Sequence, residues 1–275
     1  MHRIAPVRPD PDNVRSLSLR MAGIIQNTDN VNLYNELLFE QVRAQHFPSF
    51  VSRLKCLYAF ENKILAEAAR VWNLQHFVPD NLAEVIIEAN NFTKVDVNWI
   101  EAIFKRKNGG LYKEEDIPDI MNYWRGQPYN DDPLWELLID GTAIILGKHH
   151  EEKAYKTIKS TMPDSLGLLE LARIAGVLGF SLGHIKPQVR RVGPSTFTLT
   201  HMMDSKDLRD LHDNCGTLIE TLEKTRIPVR EDAMRLLDVN GHFKFNTPDF
   251  REHDRTFTVS PQNVYGLKTL KLHAL

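Results

Sequence analysis

Residues 134–146 read LWELLIDGTAIIL. Two apolar runs flank Asp140-Gly141, a dipeptide that favours the tight turns of two-residue hairpins, so the stretch is expected to fold as a β-hairpin. Glu136 stands in its first arm. Side chains alternate along a strand, which puts Glu136 on the face shared by Leu134 and Leu138. Carboxylates are uncommon on apolar strand faces. Glu136 is therefore either an edge-strand carboxylate turned to water or a residue kept for its chemistry.

Working back towards the N-terminus, elements alternate between helical and strand patterns. Val14, Leu17, Met21, Ile24 and Ile25 fit one helical face with Asp12 as its cap. Leu33–Arg43 is expected to be a second helix with Leu37, Leu38 and Val42 inward, ended by His46-Phe47-Pro48. Leu54–Phe60 reads as a short apolar strand led by the polar pair Ser52-Arg53. Asn62–Trp72 reads as a helix carrying Ile64, Leu65, Ala68, Ala69 and Trp72 on one stripe. Leu82–Glu88 and Phe92–Val97 read as two strands, and Asn98–Lys107 as a helix ending in the loop KNGG (107–110). A further helix over Ile117–Trp124 has Pro118 in its first turn and Gly126 just past its end.

Beyond HHEEK (149–153) the texture changes. Ser165–Leu178 is a compact apolar helix, and Leu208, Leu211, Cys215, Leu218 and Leu222 follow helical spacing. That change places a boundary near residue 153, giving an N-terminal domain over 1–153 and a mainly helical one over 154–275.

Composition sets the class. Hydrophobic residues make up 42% and charged residues 25% of the 275, with a formal net charge of -2. This suits a globular protein with a real core and gives no global attraction for nucleic acid or anionic membrane. Two cysteines, Cys56 and Cys215, make no disulfide framework, as expected in a reducing cytoplasm. No apolar run reaches the roughly 20 residues that cross a bilayer. The start, MHRIAPVRPDPD, lacks the apolar core of a signal peptide.

Familiar chemical motifs are few. Neither GxGxxG nor GxxxxGK[ST] occurs, and no HExxH or paired CxxC supports a metal. His149-His150 reads as a solvated pair. Gly179-Phe180-Ser181-Leu182-Gly183 fits GxSxG, which would make Ser181 a hydrolase nucleophile. That motif needs a strand before the serine and a helix after it, whereas a helical pattern precedes it here and Pro187 follows. HIKPQVRR (184–191) is the clearest basic run, and it lacks the interleaved aromatics that stack bases; a solvated loop is expected there.

The ordered set His2-Arg3-Ile4, Ser52-Arg53…Tyr58 and the glutamate-led stretch at 136 resembles the ADP-ribosyltransferase superfamily. Members combine a His or Arg on the first strand, a Ser or Tyr on the second and a Glu at the start of a late strand. FPSFVSRLKCLYAF, KVDVNWI, YWRGQP and WELLIDGTAIIL also look like a bacterial branch of that superfamily. The resemblance spans roughly residues 1–148. It implies an α+β fold, a split antiparallel β-sheet core with flanking helices, followed by the helical C-terminal extension. It also implies NAD+ as substrate and transfer of ADP-ribose to a macromolecular acceptor, nucleic acid or protein. The setting it implies is a toxin or phage-defence effector held silent by an antitoxin-like partner.

Within that resemblance each residue has a role. Glu136 opposes the positive charge that develops on the ribose as the bond to nicotinamide breaks. Its reference pKa of about 4.3 leaves it ionised at neutral pH without special tuning. Tyr58 offers its ring to the cationic nicotinamide, Arg53 grips the pyrophosphate, and Ser52 orients the glutamate. His2 or Arg3 holds a ribose, and strand alternation lets only one of them face the cleft. Each has a plain structural alternative: a core tyrosine, a paired arginine, a turn or cap serine. Arginine-modifying relatives carry Gln or Glu two positions before the catalytic glutamate; here that position is Leu134, so arginine is not implied as acceptor. NAD+ glycohydrolysis without transfer is the close alternative, and serine hydrolysis at Ser181 the distant one.

Overall fold

The computed structural model describes residues 14–69, 82–213, 228–231 and 246–259, with isolated positions between 216 and 224. His2, Arg3, Asp12, Trp72, Cys215 and Leu222 lie outside them. The described residues form an α+β protein. In chain order the strands are β1 (Val14–Ser16), β2 (Leu57–Ala59), β3 (Val85–Asp96), β4 (Trp135–Ile145), β5 (Ile185–Arg191), β6 (Thr196–Met203) and β7 (Arg255–Thr258). The helices are α1 (Leu19–Gln26), α2 (Asn30–His46), α3 (Lys63–Ala68), α4 (Asn98–Arg106), α5 (Ile117–Trp124), α6 (Lys148–Thr161), α7 (Leu166–Val177) and α8 (Leu208–Asp213). Two antiparallel sheets result, one in the order β1-β5-β6-β7 and one in the order β2-β4-β3.

The described residues divide into two compact units, drawn from 1–146, 187–200 and 254–275 for the first and from 147–186 and 201–253 for the second. The sequence suggests one cut near residue 153. The second unit instead begins at Gly147, and the chain rejoins the first at Pro187 and again at Asp254.

The reading of 134–146 as a hairpin is overturned. β4 is one continuous strand, paired with β3 from Asp96↔Trp135 at one end to Val85↔Ile145 at the other. β2 lies against its other edge over Leu137–Ile139 only. Asp140-Gly141 does not turn; it faces a bulge in β3, where the register shifts between Ala89 and Asn91. A methyl group at Gly141 would overlap the Glu88 carbonyl oxygen and the Ala89 Cα. This glycine therefore serves close backbone approach rather than chain reversal. The same ladder merges the two strands expected at 82–88 and 92–97 into β3.

Other boundaries shift for local reasons. Val14 belongs to β1, not to the first helix, because Ser18 caps α1 with its Oγ accepting from the Met21 N–H at 3.2 Å. Residues 53–55 form a turn closed by Lys55 N–H and Cys56 N–H to the Ser52 carbonyl, so β2 keeps only three residues. In α3 the buried side is Ala66, with Ala69 just past its end; Ile64 and Ala68 are exposed, so the expected stripe does not face the core. HIKPQVRR is strand rather than loop: Pro187 and Val189 are buried and Arg190 and Arg191 exposed.

α2 explains how the first unit holds together. Leu33, Tyr34 and Leu37 enter a cluster with Met21, Ile25, Val189, Phe197 and Leu199. Leu38, Phe39 and Val42 enter another with Val95, Ile103, Tyr123, Trp124 and Leu138. A helix buried on so much of its circumference has little solvent face left for its charges. In the second unit, Leu171, Ile174 and Ala175 of α7 pack with Leu182, Leu211 and Leu218.

Candidate functional site

Two glutamates of α2 lack that solvent face. Glu36 and Glu40, one helical turn apart, are both buried; Glu36 recruits two arginines, and Glu40 an arginine and a hydroxyl. Arg43 donates to both oxygens of Glu40 at 3.0 and 2.8 Å, and its Nη1 also reaches the carbonyls of Phe47, Pro48 and Phe50. Ser52 Oγ donates to Glu40 Oε2 at 2.8 Å. Ser52 thus orients Glu40, not Glu136.

Arg53 takes the other glutamate. Its Nε and Nη2 donate to the two oxygens of Glu36 at 2.8 and 2.9 Å, a forked pair that satisfies the carboxylate on both sides. Its Nη1 donates to Tyr123 Oη at 2.5 Å and to Glu136 Oε2 at 3.3 Å. The guanidinium lies 5.3–5.7 Å from the ring centroids of Tyr58, Tyr123 and Phe39, all three within cation–π range. Tyr58 Oη donates to the Arg53 carbonyl at 2.7 Å, which fixes the turn that carries the arginine. Arg20 Nε donates to Glu36 Oε1 at 3.2 Å. Arg53 is 2% exposed and Glu136 7%.

The two carboxylates respond oppositely. Burial alone would raise both. For Glu36, Arg53 and Arg20 outweigh burial and hold the carboxyl down at about 2. For Glu136, burial dominates, Arg53 and Arg20 oppose it only in part, and the carboxyl is raised above the usual range. Burial likewise raises Tyr58 and Tyr123, and it pushes the Cys56 thiol up to about 12, so that thiol is no nucleophile at neutral pH.

Of the residues singled out in the sequence, Arg53, Tyr58 and Glu136 meet in one cluster. Ser52 lies one step away on Glu40, and His2 and Arg3 fall outside the described residues. Arg20, Glu36 and Tyr123 were not anticipated. Glu36 and Glu40 did leave a signal, since ELLFE sets two carboxylates one turn apart around the apolar run Leu37-Leu38-Phe39. Arg20 and Tyr123 left none, because their approach to Glu36 and Arg53 is set only by how α1 and α5 pack.

Ser181 lacks the surroundings of a nucleophile elbow. α7 precedes it and β5 follows, the reverse of strand–turn–helix. Its Oγ donates to Asp204 Oδ2 at 3.0 Å, and its N–H to Asp207. A carboxyl held low by the Lys206 N–H is a poor base for a serine hydroxyl. Among the described residues no group of three His, Cys, Asp or Glu side chains is placed to hold a metal ion. No described helix is long and apolar enough to cross a membrane.

A family model described as a protein of unknown function, DUF2441, matches residues 12–155, more than half of the chain. The chain belongs to the DUF2441 family. No curated protein matches it. The DUF2441 match takes in Arg20, Glu36, Arg53, Tyr58, Tyr123 and Glu136, so the whole arginine–glutamate cluster lies inside the family segment.

Proposed function

We propose that this chain is an NAD+-dependent mono-ADP-ribosyltransferase in which Glu136 is the catalytic carboxylate. The observation that carries the reading is the mismatch between the two glutamates on Arg53. Glu36 occupies the arginine fork and is ionised at a profit to stability, whereas Glu136 makes one 3.3 Å contact and sits where burial disfavours its charge. A buried carboxylate whose charge is disfavoured beside a cation and two phenols is a functional-site candidate on physical grounds. Its place on a strand later in the chain than Arg53 and Tyr58 is the order that the resemblance to ADP-ribosyltransferases implies.

In the proposed reaction the bond between ribose C1′ and the nicotinamide nitrogen breaks, and its electron pair neutralises the pyridinium. Nicotinamide leaves, and an oxygen or nitrogen of the acceptor bonds to C1′ and gives up its proton. Glu136 faces the developing oxocarbenium charge and takes that proton. Bound NAD+ brings a positive charge to Glu136, which favours ionisation of a carboxyl that burial has raised. The ring of Tyr58 supplies a face for nicotinamide, and His2 or Arg3 a hold on ribose. The acceptor is a nucleic acid or a protein, and the setting a toxin or defence effector restrained by a partner.

Burial supports a second reading, in which the cluster is purely an ion-paired core and Glu136 only balances Arg53. The two readings part on one experiment. Purified protein is incubated with NAD+ and separate DNA, RNA and protein pools, and nicotinamide release and label on each pool are followed. Transfer requires release and label on one pool, with Glu136→Gln losing both by at least about 100-fold while its unfolding midpoint is retained. Release without label is glycohydrolysis. Unchanged release in Glu136→Gln sinks Glu136 as the catalytic residue, and calorimetry without NAD+ binding leaves the ion-paired core.

A further inference from the structure

Past Asp140, β4 outruns β2 and continues with β3 alone as a two-stranded ribbon, residues 85–89 against 141–145. Such ribbons are marginal in water without a third strand or a packed face. Strand alternation puts Glu84, Ile86 and Glu88 on one face with Asp140, Thr142 and Ile144, and all six are exposed. Ile86 is 57% and Ile144 59% exposed, and they stand directly opposite one another across the ladder. The face thus carries three carboxylates around a bare isoleucine pair, with no lysine or arginine at any of its positions. On its β2 side, the β4 edge from Asp140 to Ile145 has no strand paired to it among the described residues.

We propose that this edge accepts an extended basic segment of another protein, a strand that continues the line of β2 and alternates Lys or Arg with apolar residues. Backbone hydrogen bonds to the β4 edge supply the docking, its apolar positions cover Ile144, and its cations meet Asp140, Glu88 and Glu84. Charge decides between occupants. A second copy of this chain would add three more carboxylates to the same face with nothing to offset them, and like charges across neighbouring strands repel. Nucleic acids and anionic membranes are repelled by the same face. Inward or flanking charges do protect sheet edges from self-association. Here they also leave exposed the isoleucines that a basic strand would cover.

The test uses the full chain and a fluorescein-labelled nine-residue peptide alternating lysine with valine and threonine, followed by anisotropy. Saturable binding is expected, weakened by raising salt from about 50 to 500 mM. It should weaken about tenfold or more in Glu88→Lys/Asp140→Lys, and the same peptide with glutamate for lysine should not bind. If the charge-reversed variant fails to fold, Glu84→Gln/Glu88→Gln is read instead, with a smaller loss in the same direction. No saturable binding, equal binding of the glutamate peptide, or a folded variant that binds as well as wild type overturns the proposal. Tighter binding of a helical leucine–lysine peptide overturns the strand geometry. Self-association in sedimentation, relieved by the same substitutions, would assign the edge to a second copy instead.

Discussion

β3 and β4 run together along their whole length, yet the two ends of their ladder stand in different surroundings. At the Trp135 end, Thr93, Val95, Glu136 and Leu138 are all buried, under α2 and α5 side chains. At the Ile145 end, Val85, Ile86, Ile87, Ile144 and Ile145 form a more β-branched ladder, and Ile86, Ile144 and Ile145 are left exposed. The packed end buries a carboxylate, and the bare end leaves three isoleucines exposed beside Glu88 and Asp140, so residue type alone does not sort the two ends. Which helices reach the strand, rather than the strand's own composition, decides burial here.

The largest effect is expected from Arg53. Among the described residues it is the cation that Glu36, Glu136 and Tyr123 share, so Arg53→Met leaves buried Glu136 without that partner and Glu36 with Arg20 alone. Removing one partner of a buried pair costs about 3–5 kcal/mol. Urea unfolding followed by tryptophan fluorescence should report a loss of that size or an unfolded first unit, Trp124 lying in the same core. A loss under about 1 kcal/mol would mean that the carboxylates find other partners or water, and that the cluster is not closed.

The contrast between the ends is tested on one strand. Leu138 is fully buried, and Leu138→Ala should cost about 2–5 kcal/mol. Six residues on and on the same face of β4, Ile144→Ala should change stability by less than about 0.5 kcal/mol. A large loss at Ile144 would show that something covers the ribbon in solution, and the proposed strand site would then be occupied by this chain itself. Gly141→Ala lies between them: its methyl group meets backbone of β3, so the bulge must shift, and the unfolding midpoint should fall.

How much of this was legible follows the same division. α2, α4, α5 and α7 were legible because helical periodicity, Pro118 and the Gly126 stop are local signals. The hairpin at Asp140-Gly141 failed because the dipeptide's preference for turns is itself local, while the bulge it faces belongs to a strand 50 residues earlier. Glu136 stood out because a carboxylate broke an apolar alternation, and Ser52-Arg53 because polar residues led a strand. Their partners Glu36 and Glu40 were within reach of the same logic. The identity of each pair was not: Ser52 goes to Glu40 and Arg53 to Glu36 because the 53–55 turn aims successive side chains at successive turns of α2. The raised carboxyl of Glu136 was likewise beyond the sequence, since desolvation depends on what closes over it.

The smallest effect is the most telling for the proposed chemistry. Glu36 has a folded pKa of about 2 against an ordinary 4.5, so its contribution is full above pH 4.5 and is lost as pH falls towards 2. Glu136 runs the other way. A carboxyl raised on folding binds its proton more tightly in the native state, so native stability declines as pH rises from 4.5 through the raised value. Glutamine at 136 keeps the shape and removes that dependence. Glu136→Gln should therefore gain on wild type as pH rises from about 4 to 8, read as the difference between urea midpoints at each pH. Glu36→Gln should lose on wild type over the same range. A Glu136→Gln difference that stays flat or falls with pH would make Glu136 a second structural partner of Arg53, equivalent to Glu36. A rising difference would mean that ionising this carboxyl costs the fold stability, and a charge retained against stability is what a catalytic carboxylate looks like before its substrate arrives.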